Sequence, residues 1–177
     1  MKRRRLLATL GLSTASLGGC TGVLRRSETS AAGDGATLSD YGCPPYAPEE
    51  AGVVCSHTVD TESAAVSLRP STTEAESAKS VELTLHNDSE TALEFNPSSW
   101  RVFERRDGEW TRLEPTVSGD GKVTVDPDTT HAWTFAEVVD YVDESATLTP
   151  GAYVAEISVP DPQGSDRVRL VAVFRLV

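Results

Sequence analysis

From about residue 63 to the C-terminus the apolar residues recur with a period of two, and a period of two belongs to strands rather than helices. Val66 and Leu68 alternate before Pro70. Val81, Leu83 and Leu85 alternate with polar Glu82, Thr84 and His86, then stop at Asn87-Asp88-Ser89. Leu93 and Phe95 come next, before Asn96-Pro97. Trp100, Val102 and Phe103 run into Arg106-Asp107-Gly108-Glu109, with Trp110 and Leu113 beyond. Asp-Gly between two such runs is a strong hairpin signal, because a tight two-residue turn needs positive φ at both positions. Val123 and Val125 precede Pro127, and Trp133 and Phe135 follow. After Pro150-Gly151 come Tyr153, Ala155, Ile157 and Val159, and then Val168, Leu170, Ala172, Phe174 and Leu176. Short strands at this spacing, with no long helical period, predict an all-β domain: an antiparallel sandwich of about seven to eight strands over 63–177. Ala136–Thr149 breaks the pattern and reads as one helical turn or an acidic loop between strands.

Several of these runs together resemble a family. Val-Glu-Leu-Thr-Leu-His-Asn, Leu-Glu-Phe-Asn-Pro, the Trp100–Pro115 hairpin and Leu-Thr-Pro-Gly-Ala-Tyr are similar to the immunoglobulin-like domains of bacterial and archaeal surface lipoproteins. The resemblance covers about residues 64–177 and implies a binding or structural module with no shared catalytic residues. The antibody Cys-Trp-Cys arrangement is absent, so Trp100, Trp110, Trp133 and Tyr153 are expected to pin the core instead.

Ahead of the sandwich, residues 1–20 read MKRRRLLATLGLSTASLGGC. A basic cluster is followed by a weakly apolar stretch from Leu6 to Leu17, the length of a signal-peptide core and too short to span a bilayer. The run Arg3, Arg4, Arg5 before Leu6-Leu7 resembles a twin-arginine export signal. Leu17-Gly18-Gly19-Cys20 resembles a lipobox, in which the Cys20 thiolate takes a lipid as a thioether. The expected organisation is a signal peptide over 1–19, a lipid-anchored flexible tether over 20–40 rich in Gly, Ser, Thr and Ala, a neck over 41–62, and the sandwich. Localisation would be the extracellular face of the membrane, held by the lipid on Cys20.

Cys43 and Cys55 are the other two of the three cysteines. An even pair in an exported chain predicts a disulfide. The rival, a metal pair with His57, lacks a fourth ligand and the usual spacing.

Charge narrows the partners. The formal net charge is −11, and with Lys2, Arg3, Arg4 and Arg5 set aside with the leader, 12 basic residues face 27 acidic ones from Cys20 onward, a net of −15. Nucleic acid would be repelled, and the balance equally speaks against docking on anionic lipid by charge. Lys2, Lys79 and Lys122 are the only lysines. Abundant Asp and Glu with so little Lys is the habit of proteins working in brine, where salt screens self-repulsion. Halophilic archaea favour twin-arginine export, which adds to that reading as an implication of the resemblance.

Chemistry is not evident. A blue-copper site needs two His, a Cys thiolate and usually Met, yet Met1 is the single methionine and no cysteine lies in the C-terminal strands. His57, His86 and His131 have no nucleophile motif around them. Asp126 with Asp128, Asp140 with Asp143 and Glu144, and Asp161 with Asp166 are acidic loop clusters, but none has the ligand spacing of a calcium-binding loop. No cofactor, no metal and no enzymatic activity are therefore expected. The leading expectation is a non-catalytic cell-surface lipoprotein that meets an envelope or extracellular protein. The alternative is a protease-inhibitor-like sandwich, whose exposed loop would have to come from Ala136–Thr149.

Overall fold

The structure is a computed structural model and describes residues 37–46, 50–60, 63–116, 119–164 and 166–177. Cys20 and the arginines Arg3, Arg4 and Arg5 lie outside these residues.

Two sheets face each other across one core. The larger is built on two ten-residue strands, β10 (Gly151–Pro160) and β11 (Arg167–Leu176), paired antiparallel along their whole length. β6 (Arg101–Arg106) pairs with β10, and β7 (Glu109–Arg112) pairs with β6 through the expected two-residue turn. Asp107 and Gly108 both have positive φ, 51° and 86°, as that turn demands. Two short strands, β1 (Val53–Cys55) and β3 (Glu74–Ala75), pair parallel with β11. Opposite lies a three-stranded sheet of β2 (Val66–Pro70), β4 (Glu82–Asn87) and β9 (Thr129–Thr134). β5 (Leu93–Phe95) and β8 (Val123–Val125) form a separate ribbon.

The period of two does what it should. Leu68, Leu83, Leu85, Phe95 and Trp133 from one side meet Val102, Ala155, Ile157, Leu170, Ala172 and Phe174 from the other, all buried. Sheet faces of this kind gain about 25 cal/mol per Å² of apolar surface removed from water. Asn87 is fully buried at the end of β4. Its Nδ2 donates to the carbonyls of Thr91, Val125 and Asp126 at 2.9, 3.0 and 3.1 Å, fastening the ribbon to the sheet.

The neck is joined to the large sheet, since β1 belongs to the neck and pairs with β11, and residues 38–41, expected in the tether and neck, form a turn of 3-10 helix. Eleven strands occur among the described residues rather than seven or eight. Part of the excess is β1 and β3, which shield the edge of β11 that would otherwise lie open. Phe135 ends no strand. It opens α1 (Phe135–Val142), two turns of amphipathic helix with Phe135, Val138, Val139 and Val142 buried. Thr134 caps it: Glu137 N donates to Thr134 Oγ1 at 3.2 Å, and Thr134 N donates back to Glu137 Oε2 at 2.7 Å. The helix closes the core, with Phe135 4.7 Å from Phe174 and 5.6 Å from Tyr153 between ring centroids. The first half of Ala136–Thr149 is thus a docked helix rather than an extended loop.

Trp100, Trp133 and Tyr153 are buried in the core as expected, with Trp100 edge-on to Trp133 at 5.2 Å. Trp110 is the exception. Its strand sits at the edge of the large sheet and its side chain lies on the face turned away from the core.

Candidate functional site

That outward face of the large sheet is where the chain's chemistry collects. Strand register fixes its residues, because directly paired side chains share a face. Phe103, Val154, Val171 and Val173 form its apolar centre. Around them the same face carries Arg101, Arg105, Arg112, Arg167, Arg169 and Arg175, placed there by the pairs Arg101–Glu156, Arg105–Trp110, Phe103–Arg112, Pro160–Arg167, Ser158–Arg169 and Ala152–Arg175. Only two acids from the sheet strands share the face: Glu156, 1% exposed, and Glu74 on the short edge strand β3. The alternation in β6, β10 and β11 therefore hides core residues on one side and sets out guanidinium groups on the other.

The neck crosses this face as a strap. Leu38, Tyr41, Tyr46 and Val53 pack on the apolar centre, and the disulfide between Cys43 and Cys55 ties the strap to β1 with a Cα–Cα distance of 5.7 Å. The expected disulfide is thus present. Tyr46 N donates to Cys43 O at 2.8 Å across the Pro44-Pro45 turn, whose peptide is cis. Each strap tyrosine is held by a pair of arginines. Arg105 lies over the Tyr41 ring at 4.5 Å, Arg175 donates to the Tyr41 hydroxyl at 3.2 Å, and Trp110 meets the ring edge-on at 5.5 Å. Arg169 lies over the Tyr46 ring at 4.3 Å, and Arg101 donates to the Tyr46 hydroxyl at 3.3 Å. Contacts of this kind contribute about 0.5–2 kcal/mol each, more as water is excluded.

The strap also satisfies a buried charge. Tyr46 donates its hydroxyl hydrogen to Glu156 Oε2 at 2.5 Å, while Arg101 Nε lies 3.2 Å from Glu156 Oε1 without the alignment of a hydrogen bond. Burial and the carboxylate beside it push the Tyr46 phenol above its ordinary range. Arg169 completes the closure through Glu50 at 2.6 Å.

On the core side of the same strands sits a second carboxylate, Glu104. It accepts from Thr149 Oγ1 at 2.7 Å and Arg106 Nε at 2.7 Å, with the Tyr153 hydroxyl 3.2 Å away. Burial pushes its carboxyl up, but these donors outweigh that and leave it below the usual range. The Tyr153 hydroxyl bonds back to Thr149 O at 2.7 Å, the geometry of the tyrosine corner of immunoglobulin-type sandwiches.

The remaining candidates are not brought together. His57 lies beside the disulfide, its Nδ1 3.6 Å from Cys55 Sγ, and burial holds its pKa low. Burial and Arg69 do the same to His86, on the outer side of β4. His131 rests against Trp133 at 4.3 Å. Asp143 accepts from Ser145 and Thr116, and Asp161 accepts from Gln163 N, so both serve their own turns. Among the described residues no three His, Cys, Asp or Glu side chains cluster as a metal site would need. No helix among them is long and apolar enough to cross a membrane. The strap is invisible to periodicity, and although its arginines alternate with core residues along β6 and β11, nothing in that alternation pairs them with Tyr41 and Tyr46. The one available signal was the excess of Arg over Lys in the strands.

No protein-family model matches the chain, and no curated protein sequence matches it.

Proposed function

We propose that the chain is an exported, lipid-anchored and non-catalytic surface protein, whose immunoglobulin-like sandwich serves as a binding or structural module just outside the membrane. The observation that carries the reading is the strap fastened by the Cys43–Cys55 disulfide. Stable disulfides belong to oxidising compartments, and this one joins the two cysteines left once Cys20 is committed to lipid. The leader supports the same location, with Arg3, Arg4 and Arg5 before a weakly apolar stretch and Leu17-Gly18-Gly19 before Cys20. The Tyr153 corner supports the immunoglobulin-like reading. The abundance of acids over lysines supports brine as the medium.

Cell fractionation tests the anchor. The wild-type chain should stay with membranes through a salt wash and leave only with detergent, while Cys20→Ser should appear in the medium. Cys20→Ser retained in the membrane fraction would place the anchor elsewhere. Arg4→Lys alters both candidate arginine pairs at once and should leave uncleaved precursor inside the cell. Normal export of that variant would remove the twin-arginine assignment.

A further inference from the structure

We infer that β7 is the seam of a homodimer: its open edge pairs antiparallel with β7 of a second copy and joins two large sheets into one. The inference goes beyond the surface-module reading and does not depend on it.

The phase of the ladder decides which backbone groups face outward. β7 ends the sheet order β1-β11-β10-β6-β7, so among the described residues no strand pairs with its outer side. Leu113 N donates to Val102 O at 2.8 Å, and hydrogen-bonded pairs alternate along an antiparallel ladder. Glu109 and Thr111 therefore turn their N–H and C=O groups to β6, while Trp110 and Arg112 turn theirs outward. An edge of that kind is a template for another chain, and Lys or Pro on it is the usual guard. Glu109-Trp110-Thr111-Arg112 has neither. The other ends of the sheets are better guarded: β1 and β3 lie along β11, and β2 ends in Pro70, which has no N–H to offer.

The edge of β7 complements itself. A two-fold axis perpendicular to the sheet keeps like faces on the same side. Joining the outward groups then sets Trp110 against Arg112 of the second copy, and Arg112 against its Trp110, each pair exchanging both N–H···O bonds. On the outer face the exposed Arg112 comes to lie beside a partly exposed indole, whose ring attracts a guanidinium. On the other face the exposed Thr111 meets its own copy at the axis, and Thr–Thr pairs are favourable across strands. The same operation on β9, the open end of the smaller sheet, has no such match. There Phe135 N donates to Val81 O, so Thr130 and Ala132 turn outward and would only face each other, with His131 against His131.

Charge selects the same place. Two copies of a chain with a net charge of −11 repel each other. Residues 105–114 hold Arg105, Arg106 and Arg112 against Asp107, Glu109 and Glu114, so their charges cancel and two copies can meet here without that penalty. The contact is made by backbone hydrogen bonds and by a cation beside a ring, and salt chiefly lowers the repulsion between the two bodies. Brine, the medium proposed above, therefore favours the pair. A seam of four residues from each copy makes a weak, concentration-dependent dimer.

The test uses the full chain carrying Cys20→Ser, so that neither a lipid nor oxidation of Cys20 can join two copies. In sedimentation equilibrium the dimer fraction should rise with protein concentration, and again with added KCl. Arg112→Gln keeps every backbone group and should weaken the dimer about tenfold, through loss of both cation–ring contacts. Arg112→Pro also removes an outward N–H and should leave monomer. The register has its own readout. Thr111 falls on the axis at a narrow pair, where Cα atoms stand about 4.5 Å apart, within disulfide reach. Thr111→Cys should therefore form a covalent dimer with oxidised glutathione. Glu109→Cys, which the same register places about 13 Å from its copy, should not. Should Arg112→Pro unfold, Arg112→Gln and Thr111→Cys decide between them. Monomer at every concentration would overturn the inference and leave the edge to an extended segment of another protein. A dimer dispersed by KCl, a dimer retained by folded Arg112→Pro, or equal cross-linking of Thr111→Cys and Glu109→Cys would overturn it as well.

Discussion

Tyr46 is the residue on which the strap and the buried carboxylate depend together. Its ring sits under Arg169 and its hydroxyl reaches Glu156. Tyr46→Phe keeps the ring and removes the donor, leaving a buried carboxylate oxygen without a hydrogen bond. The expected cost is about 1–3 kcal/mol at neutral pH, read from urea midpoints. The pH dependence has a definite sign. Burial first, and then Glu156, raise the folded phenol above 10.0, so its contribution is complete below that value and is lost as pH rises through the folded pKa. Wild type should therefore lose stability at high pH more steeply than Tyr46→Phe, and the two curves should converge. Parallel curves up to pH 11 would mean that the phenol is not coupled to folding. Glu104 runs the other way. Despite burial, its donors Thr149, Arg106 and Tyr153 hold the folded carboxyl below 4.5. Its contribution is present above that pH and disappears as pH falls through the folded value. Glu104→Gln should thus be less stable than wild type at pH 7, by about 1–3 kcal/mol, and the gap should close in acid. A gap that persists undiminished at pH 2 would assign Glu104 a steric role instead.

At the scale of elements, the strands were legible, while the helix was legible only as one of two readings of Ala136–Thr149 and without its true start, for one physical reason. A strand declares itself in five residues, because every second side chain must be apolar. Phe135-Ala-Glu-Val-Val-Asp-Tyr-Val has only two turns in which to show a period of 3.6, and Trp133–Phe135 before it still alternates as a strand would. The signal that distinguished them was the Thr134–Glu137 spacing of a capping box, which lies at the true boundary. Thr134→Ala should accordingly cost about 1 kcal/mol, by loss of the cap alone. Phe135→Ala removes a ring packed on Tyr153 and Phe174 and should cost about 3–5 kcal/mol. If Thr134→Ala proved as damaging as Phe135→Ala in thermal melts, the helix would be held by its cap rather than by the core. The strap was illegible for a different reason. Tyr41 and Tyr46 lie in a turn-rich stretch without a period, and their arginine partners are from 55 positions away in sequence for Arg101 and Tyr46 to 134 for Arg175 and Tyr41. Residue type hinted at the disulfide, since two cysteines remained to pair. Nothing in the order of residues said which face of which sheet the neck would cross.

On the scale of the whole molecule, the packing of the described residues falls into two apolar clusters separated by the large sheet. One lies between the sheets and includes α1, and the other lies under the strap. The sheet's own strands, β6, β10 and β11, contribute side chains to both, whereas the strap contributes Leu38, Tyr41, Cys43, Tyr46, Val53 and Cys55 to the second and only Val54 to the edge of the first. Releasing the strap should therefore open part of the molecule and not all of it. The disulfide is the means to test this. Its cysteines are 12 positions apart, and closing so short a loop stabilises by about 3 kcal/mol in the chain-entropy model. Cys43→Ala with Cys55→Ala should lower the cost of strap opening by about that amount. In hydrogen exchange, Tyr46 N, bonded to Cys43 O, and Arg169 N, bonded to Gly52 O, should lose protection. Amides of β4 facing β9 should exchange as in wild type, because Val54 is the one described strap side chain packed against the core cluster beneath them. Buried Phe103, Val154, Val171 and Val173 would then meet water intermittently, and a dye that binds apolar surface should report it while the near-ultraviolet signal of Trp100 and Trp133 persists. Simultaneous loss of β4 protection would show that the strap is part of one cooperative unit, and that the two clusters are separate in space but not in free energy.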